Sequence, residues 1–132
     1  MYNRDYFLKL VQQFAQVLAR ISGLKEKGEQ EKAAELIRDT YSGLLKLERS
    51  YLLELEEAQL ISTLRELHRL EYDQLEVLAR LMYEDAGLDT AQKNNLCQKA
   101  LLILQYLNTE QRVYSFEREQ LMENIRMFAD KG

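Results

Sequence analysis

Proline and tryptophan are absent from this chain of 132 residues, histidine and cysteine occur once each, and glycine occurs 5 times. Without Pro and with so few Gly, the turn chemistry of most β folds, of collagen and of flexible linkers is missing. The one cysteine, Cys97, cannot close an internal disulfide, which points to a reducing compartment. No apolar run approaches the roughly 18 residues of a membrane span. The opening Met1-Tyr2-Asn3-Arg4-Asp5-Tyr6 puts charges where a secretion signal needs apolar residues. A cytoplasmic protein with no membrane partner is therefore expected. A surplus of basic charge is lacking too. Lys and Arg total 18 against 22 Asp and Glu, for a net charge of −4. The basic residues are scattered singly among acids, as in Glu117-Arg118-Glu119, so no nucleic-acid partner is expected.

What is present is a dense apolar set, 46% of residues, at helical spacing. In residues 4–27, Phe7, Leu10, Val11, Phe14, Val17, Leu18, Ile21 and Leu24 form one stripe, with Asn3 as the expected N-cap. Leu8, Ala15 and Ala19 form a second apolar flank. A helix apolar on two flanks is expected to be central in the fold. Gly28 is a natural stop. A second helix is expected over residues 29–47, with Ala33, Leu36, Ile37, Thr40, Tyr41, Leu44 and Leu45 on one face. The joint is very short, so the two helices should form an antiparallel hairpin.

Residues 50–86 carry two nearly in-phase stripes, one through Leu53, Leu60, Ile61, Leu64 and Leu67 and one through Tyr72, Leu75, Leu78, Ala79, Met82, Tyr83 and Ala86. One long bent helix is open, but helix lengths favour two, with a break near residues 68–70. Gly87 ends this segment, and Asp89 or Thr90 should cap a helix running to about residue 107. Asn108 or Thr109 should cap the last helix, residues 110–129, with Tyr114, Leu121, Ile125 and Phe128 facing inward. The expectation is one all-α domain over residues 1–132, built of antiparallel hairpins with about five to six helices.

The first third of the chain also resembles a bacterial family defined only as a domain of unknown function. Arg4-Asp5-Tyr6 matches its opening signature. Val11-Gln12-Gln13-Phe14-Ala15-Gln16-Val17-Leu18-Ala19-Arg20-Ile21 matches its continuation, as does Gly28-Glu29-Gln30-Glu31-Lys32-Ala33-Ala34-Glu35-Leu36-Ile37, a Gly and a charged turn before Ala-x-Glu-Leu-Ile. The resemblance implies a helical fold and no activity. The same hairpin resembles a tetratricopeptide unit through the spacing of Gly28 and Ala33, where the Gly opens the turn and the small Ala lets the helices approach. Ile21 stands where that repeat has a small residue and no Pro follows, so the array is tetratricopeptide-like or an irregular helical bundle.

Few residues offer chemistry. His68 lies near Glu66 and Glu71 without Glu-x-x-His, and it reads as a histidine at a helix joint. Cys97 falls on an inward stripe and reads as a small hydrophobe. Glu54, Glu56 and Glu57 could hold a cation, but an acid-rich first turn of a helix accounts for them. There is no Gly-rich phosphate loop, Ser-centred elbow or Cys pair. Neither a catalytic residue nor a cofactor or metal site is assigned.

The expectation is a non-enzymatic protein-interaction domain, an adaptor or a homo-oligomeric scaffold. Its candidate interface is Leu102, Tyr106, Phe116 and Met127, which lie off the inward stripes, and a homodimer is expected more than a monomer. Arg4 and Tyr6 form a candidate recognition patch. The alternative is a small-molecule or peptide sensor, with a cavity lined by Tyr41, Tyr72 and Tyr83 and with Arg4 or Arg20 at its mouth.

Overall fold

Helical periodicity is realised along nearly the whole chain. The structure is a computed structural model that describes residues 4–131, and of Arg4 and Phe7 it describes the backbone alone. Seven α-helices and no strand occur among the described residues: α1 (Arg4–Glu26), α2 (Gln30–Leu45), α3 (Arg49–Glu54), α4 (Glu57–Ser62), α5 (Tyr72–Ala86), α6 (Lys93–Glu110) and α7 (Phe116–Asp130). No helix among them is long and apolar enough to cross a membrane. Buried residues from all seven join one apolar core.

The first hairpin follows the sequence closely. Gly28 takes a φ of 77°, the Glu29 N–H donates to the Leu24 carbonyl at 2.9 Å, and the chain turns back into α2. Gly is favoured there because it has no Cβ to clash in the left-handed region. Ala33 is fully buried. At the end of α2 the same kind of turn is made by Lys46, at φ 59°, with the Leu47 N–H donating to the Tyr41 carbonyl.

The centre of the fold is α5, packed against α6, and not α1. Leu75, Val77, Leu78, Ala79, Leu81, Met82, Asp85 and Ala86 are all buried, leaving α5 only a narrow polar side. On α1 the stripe through Leu10, Phe14 and Ile21 is buried, but the second flank is uncovered. Leu8 and Val11 are 51% and 46% exposed, and Ala15 and Ala19 are exposed as well. Two-sided apolarity on α1 therefore marks a surface for which the described chain supplies no cover.

Residues 49–71 are more broken than their stripes imply. A break falls at residues 68–71, where expected, after α4 widens into a π-type turn, Thr63–Leu67, closed by Arg69 at φ 55°. A second break at Leu55 and Glu56 has no Gly or Pro to announce it. Tertiary contacts support it. The Lys99 ammonium donates to the Leu52 and Leu53 carbonyls at 2.8 and 2.9 Å, and Asn95 Nδ2 donates to Leu53 at 3.0 Å. The last carbonyls of α3, which lack helical partners, are satisfied from α6. The two short helices raise the number to seven.

The last joint also differs from expectation. Helix α6 continues through Asn108 and Thr109 to Glu110, and Ser115 caps α7, its hydroxyl accepting from the Arg118 N–H at 3.2 Å. Tyr114 thus lies in the connecting loop, 74% exposed, and not inward. Leu121 and Ile125 are buried as expected. Asp89 caps the turn Thr90–Gln92 that leads into α6.

Candidate functional site

Two polar clusters hold the helices in place. In the first, Asp85 on α5 is buried and accepts from Arg49 Nε at 2.8 Å, Arg49 Nη2 at 2.9 Å and the Tyr41 hydroxyl at 2.7 Å. Arg49 Nη2 also donates to Asp89 at 2.8 Å. Burial, then the charge and hydrogen bond of Asp85, push the Tyr41 hydroxyl well above its ordinary pKa, so it remains a donor. The hydrogen bond from Arg49 holds Asp89 below the usual carboxylate range. The cluster joins α2, α3 and α5.

In the second cluster, Arg118 on α7 is buried. It donates to Glu76 on α5 at 2.6 Å, to Gln111 at 2.6 Å and to Asn108 at 3.2 Å. No buried side-chain nitrogen or oxygen among the described residues lacks a partner. No sequence pattern announces either cluster. The available signals, for the first cluster, are a Tyr on an inward stripe, which needs a partner, and Asp85 among apolar neighbours.

The open feature lies beside the second cluster. Helices α1 and α7 flank α5 and run in its direction. Arg118 meets Glu76 and Phe128 meets Tyr83 along α7, while Lys25 near the end of α1 meets Glu84 at 3.0 Å, and the α1 residues before it, from Val11 to Leu18, share one lining with the α5 residues before Glu84, from Asp73 on. Between them runs a groove of about 620 Å³. Phe14, Leu18, Val77 and Leu121 lie along its apolar walls and floor, and Val11, Ala15 and Phe116 stand at its exposed edges. Asp73, Glu76, Glu84 and Glu117 lie along it against Arg80 and Arg118, so its charged residues are acidic in balance. Phe116 is 68% exposed, and the loop before it adds exposed Val113 and Tyr114.

The expected interface divides. Phe116 lines the groove, and Met127, 58% exposed, lies on the same α7 stripe as Phe116, Gln120 and Asn124 by spacing. Leu102 and Tyr106 do not join them. Leu102 is half-buried against the core, and the Tyr106 hydroxyl accepts from Arg65 Nε at 3.0 Å, because α4 and the turn after it cover that side of α6. In the expected recognition patch, the Arg4 side chain lies outside the described residues. Tyr6 is exposed on α1 and does not line the groove.

The three tyrosines of the sensor cavity are not brought together. Tyr41 binds Asp85 in the core, Tyr72 lies under Arg65, and only Tyr83 lines the groove. His68 is half-buried, its Nε2 2.8 Å from the Tyr51 hydroxyl. Cys97 is fully buried, and that burial raises its thiol pKa. Glu54, Glu56 and Glu57 are exposed at the joint of α3 and α4, and among the described residues no cluster of His, Cys, Asp and Glu could hold a metal ion. The chain matches no protein-family model, no curated protein and no solved structure.

Proposed function

We propose that the chain is a non-enzymatic helical interaction domain, an adaptor or homo-oligomeric scaffold, and that the groove between α1 and α7 is its docking surface. The observation that supports this is the uncovered apolar flank of α1 facing α7 across an apolar floor. An amphipathic helix laid into such a groove gains by covering apolar surface, and charged residues at the edges orient it. The acidic balance of the groove disfavours a phosphate backbone as occupant. The buried, unreactive Cys97 suits a reducing, cytoplasmic setting.

The test is photo-cross-linking in the cell of origin, with a benzophenone side chain at Ala15 in the groove and, as control, at exposed Gln98 on α6. A discrete protein adduct from Ala15 and none from Gln98 is expected. No adduct, or equal adducts from both positions, would remove the groove from the account. A second reading, a small-molecule sensor, draws support from the groove volume, which lies within the roughly 300–1,000 Å³ of ligand sites. Small molecules that raise the melting temperature and are displaced by Leu18→Glu would favour that reading.

A further inference from the structure

We infer that the groove is filled by α1 of a second copy of this chain, the two α1 helices packing antiparallel about a two-fold axis. This rests on the groove being a docking surface. Helix α1 suits the site in shape. Its uncovered flank runs Leu8, Val11, Ala15 and Ala19, spaced three to four residues apart. The two alanines allow close approach of another helix backbone. A two-fold contact needs one surface to serve as both donor and receiver. Helix α1 meets that condition because it is at once a wall of its own groove and the occupant of the other.

Charge favours the same occupant. The chain is net acidic, yet from Arg4 to Leu24 the charged residues are Arg4, Lys9 and Arg20 against Asp5 alone. The groove is acidic in balance. Arg20 follows Val11 by nine residues, two and a half turns of about 3.6 residues each, so it lies on the opposite side of α1. When the Val11 side of the seated helix meets the first α1, Arg20 of the partner subunit therefore faces α7. Because α1 and α7 run the same way, antiparallel seating brings that guanidinium to the first turn of α7, where Glu117 is exposed. Gln12 and Gln16 occupy the arc between the apolar flank and the basic edge, and Asp5, which shares that arc, lies about four turns from Arg20 at the other end of α1.

Sedimentation equilibrium of the full chain tests this. The average mass of the wild type should rise from the 15.6 kDa monomer towards twice that value as concentration passes through tens of micromolar. Ala15→Glu and Arg20→Glu should each raise the dissociation constant by about tenfold or more with unchanged circular dichroism and melting of the monomer, since both positions are exposed. Arg20→Glu combined with Glu117→Arg should restore the dimer. A wild-type chain that stays monomeric throughout overturns the inference, as does a dimer indifferent to Ala15→Glu or a charge exchange that restores nothing. In each case a cross-link from Ala15 to a different protein leaves the docking groove standing, whereas no adduct from Ala15 removes both.

Discussion

Replacing Asp85 with Asn probes the most heavily bonded side chain in the core. Its carboxylate accepts three hydrogen bonds, two from Arg49 and one from Tyr41, and the two ionic side chains are 6% and 20% exposed. Asn keeps the shape but loses the charge, and its amide group places a donor against donors. Breaking a buried ion pair on one side costs about 3–5 kcal/mol. Arg49 is one-fifth exposed and keeps Asp89 as a partner, so the lower end applies, about 3 kcal/mol. For a chain of this size that corresponds to a fall in melting temperature of about 10 °C. The assay is urea unfolding followed by circular dichroism, with the slope against denaturant checked to be unchanged. Tyr41→Phe, which removes one hydrogen bond and leaves the ion pair, should cost less, about 1–2 kcal/mol. A loss of under about 0.5 kcal/mol for Asp85→Asn would refute the reasoning, because it would mean that the network adds no net stability.

Lys99→Met keeps the buried stem but strips the donors from the carbonyls of Leu52 and Leu53, and urea unfolding should show a loss of about 1–3 kcal/mol. Lys46→Gly relieves a left-handed conformation at an exposed position and should stabilise by about 0.5–1 kcal/mol in the same assay. The raised Tyr41 pKa stabilises the fold fully below about pH 10, the unfolded value, and that contribution falls away as pH rises above it. The stability gap between wild type and Tyr41→Phe should therefore narrow in alkali. At the other extreme, the lowered Asp89 pKa stabilises above about pH 3.9 and is lost as pH falls below it, so Asp89→Asn should flatten the acid limb.

Helices whose apolar spacing and end signals agree were legible in the sequence. Helices α1 and α2, their Gly28 joint, the break at residues 68–71 and the Gly87 stop stand where periodicity and capping put them. What failed was decided at a distance. The break at Leu55 depends on Lys99 and Asn95, more than 40 residues away, so no local signal marks it. The last helix is capped by Ser115 and not Thr109 because both residues suit a cap, and the tie between Arg118 and Glu76 fixes α7 on α5. For the candidate site, the wheel found the second flank of α1 and the exposed side of α7. It could not say whether another helix covers them. A wheel reports which residues share a face and says nothing of the neighbour. On that point the wheel covers the second flank of α1, which is open, and exposes Leu102 and Tyr106, which other elements cover.

The Ala15 flank is bare in the isolated chain, and the proposed docking covers it. Because Cys97 is fully buried, a thiol introduced by Ala15→Cys would be the sole accessible one among the described residues. Its alkylation rate should be measured with the protein dilute and purified, then concentrated, and then in native lysate. Rapid labelling is expected in the dilute chain, with protection of about tenfold or more in at least one of the other two settings. Protection already present in the dilute monomer, or labelling equally fast in all three, would contradict the proposal.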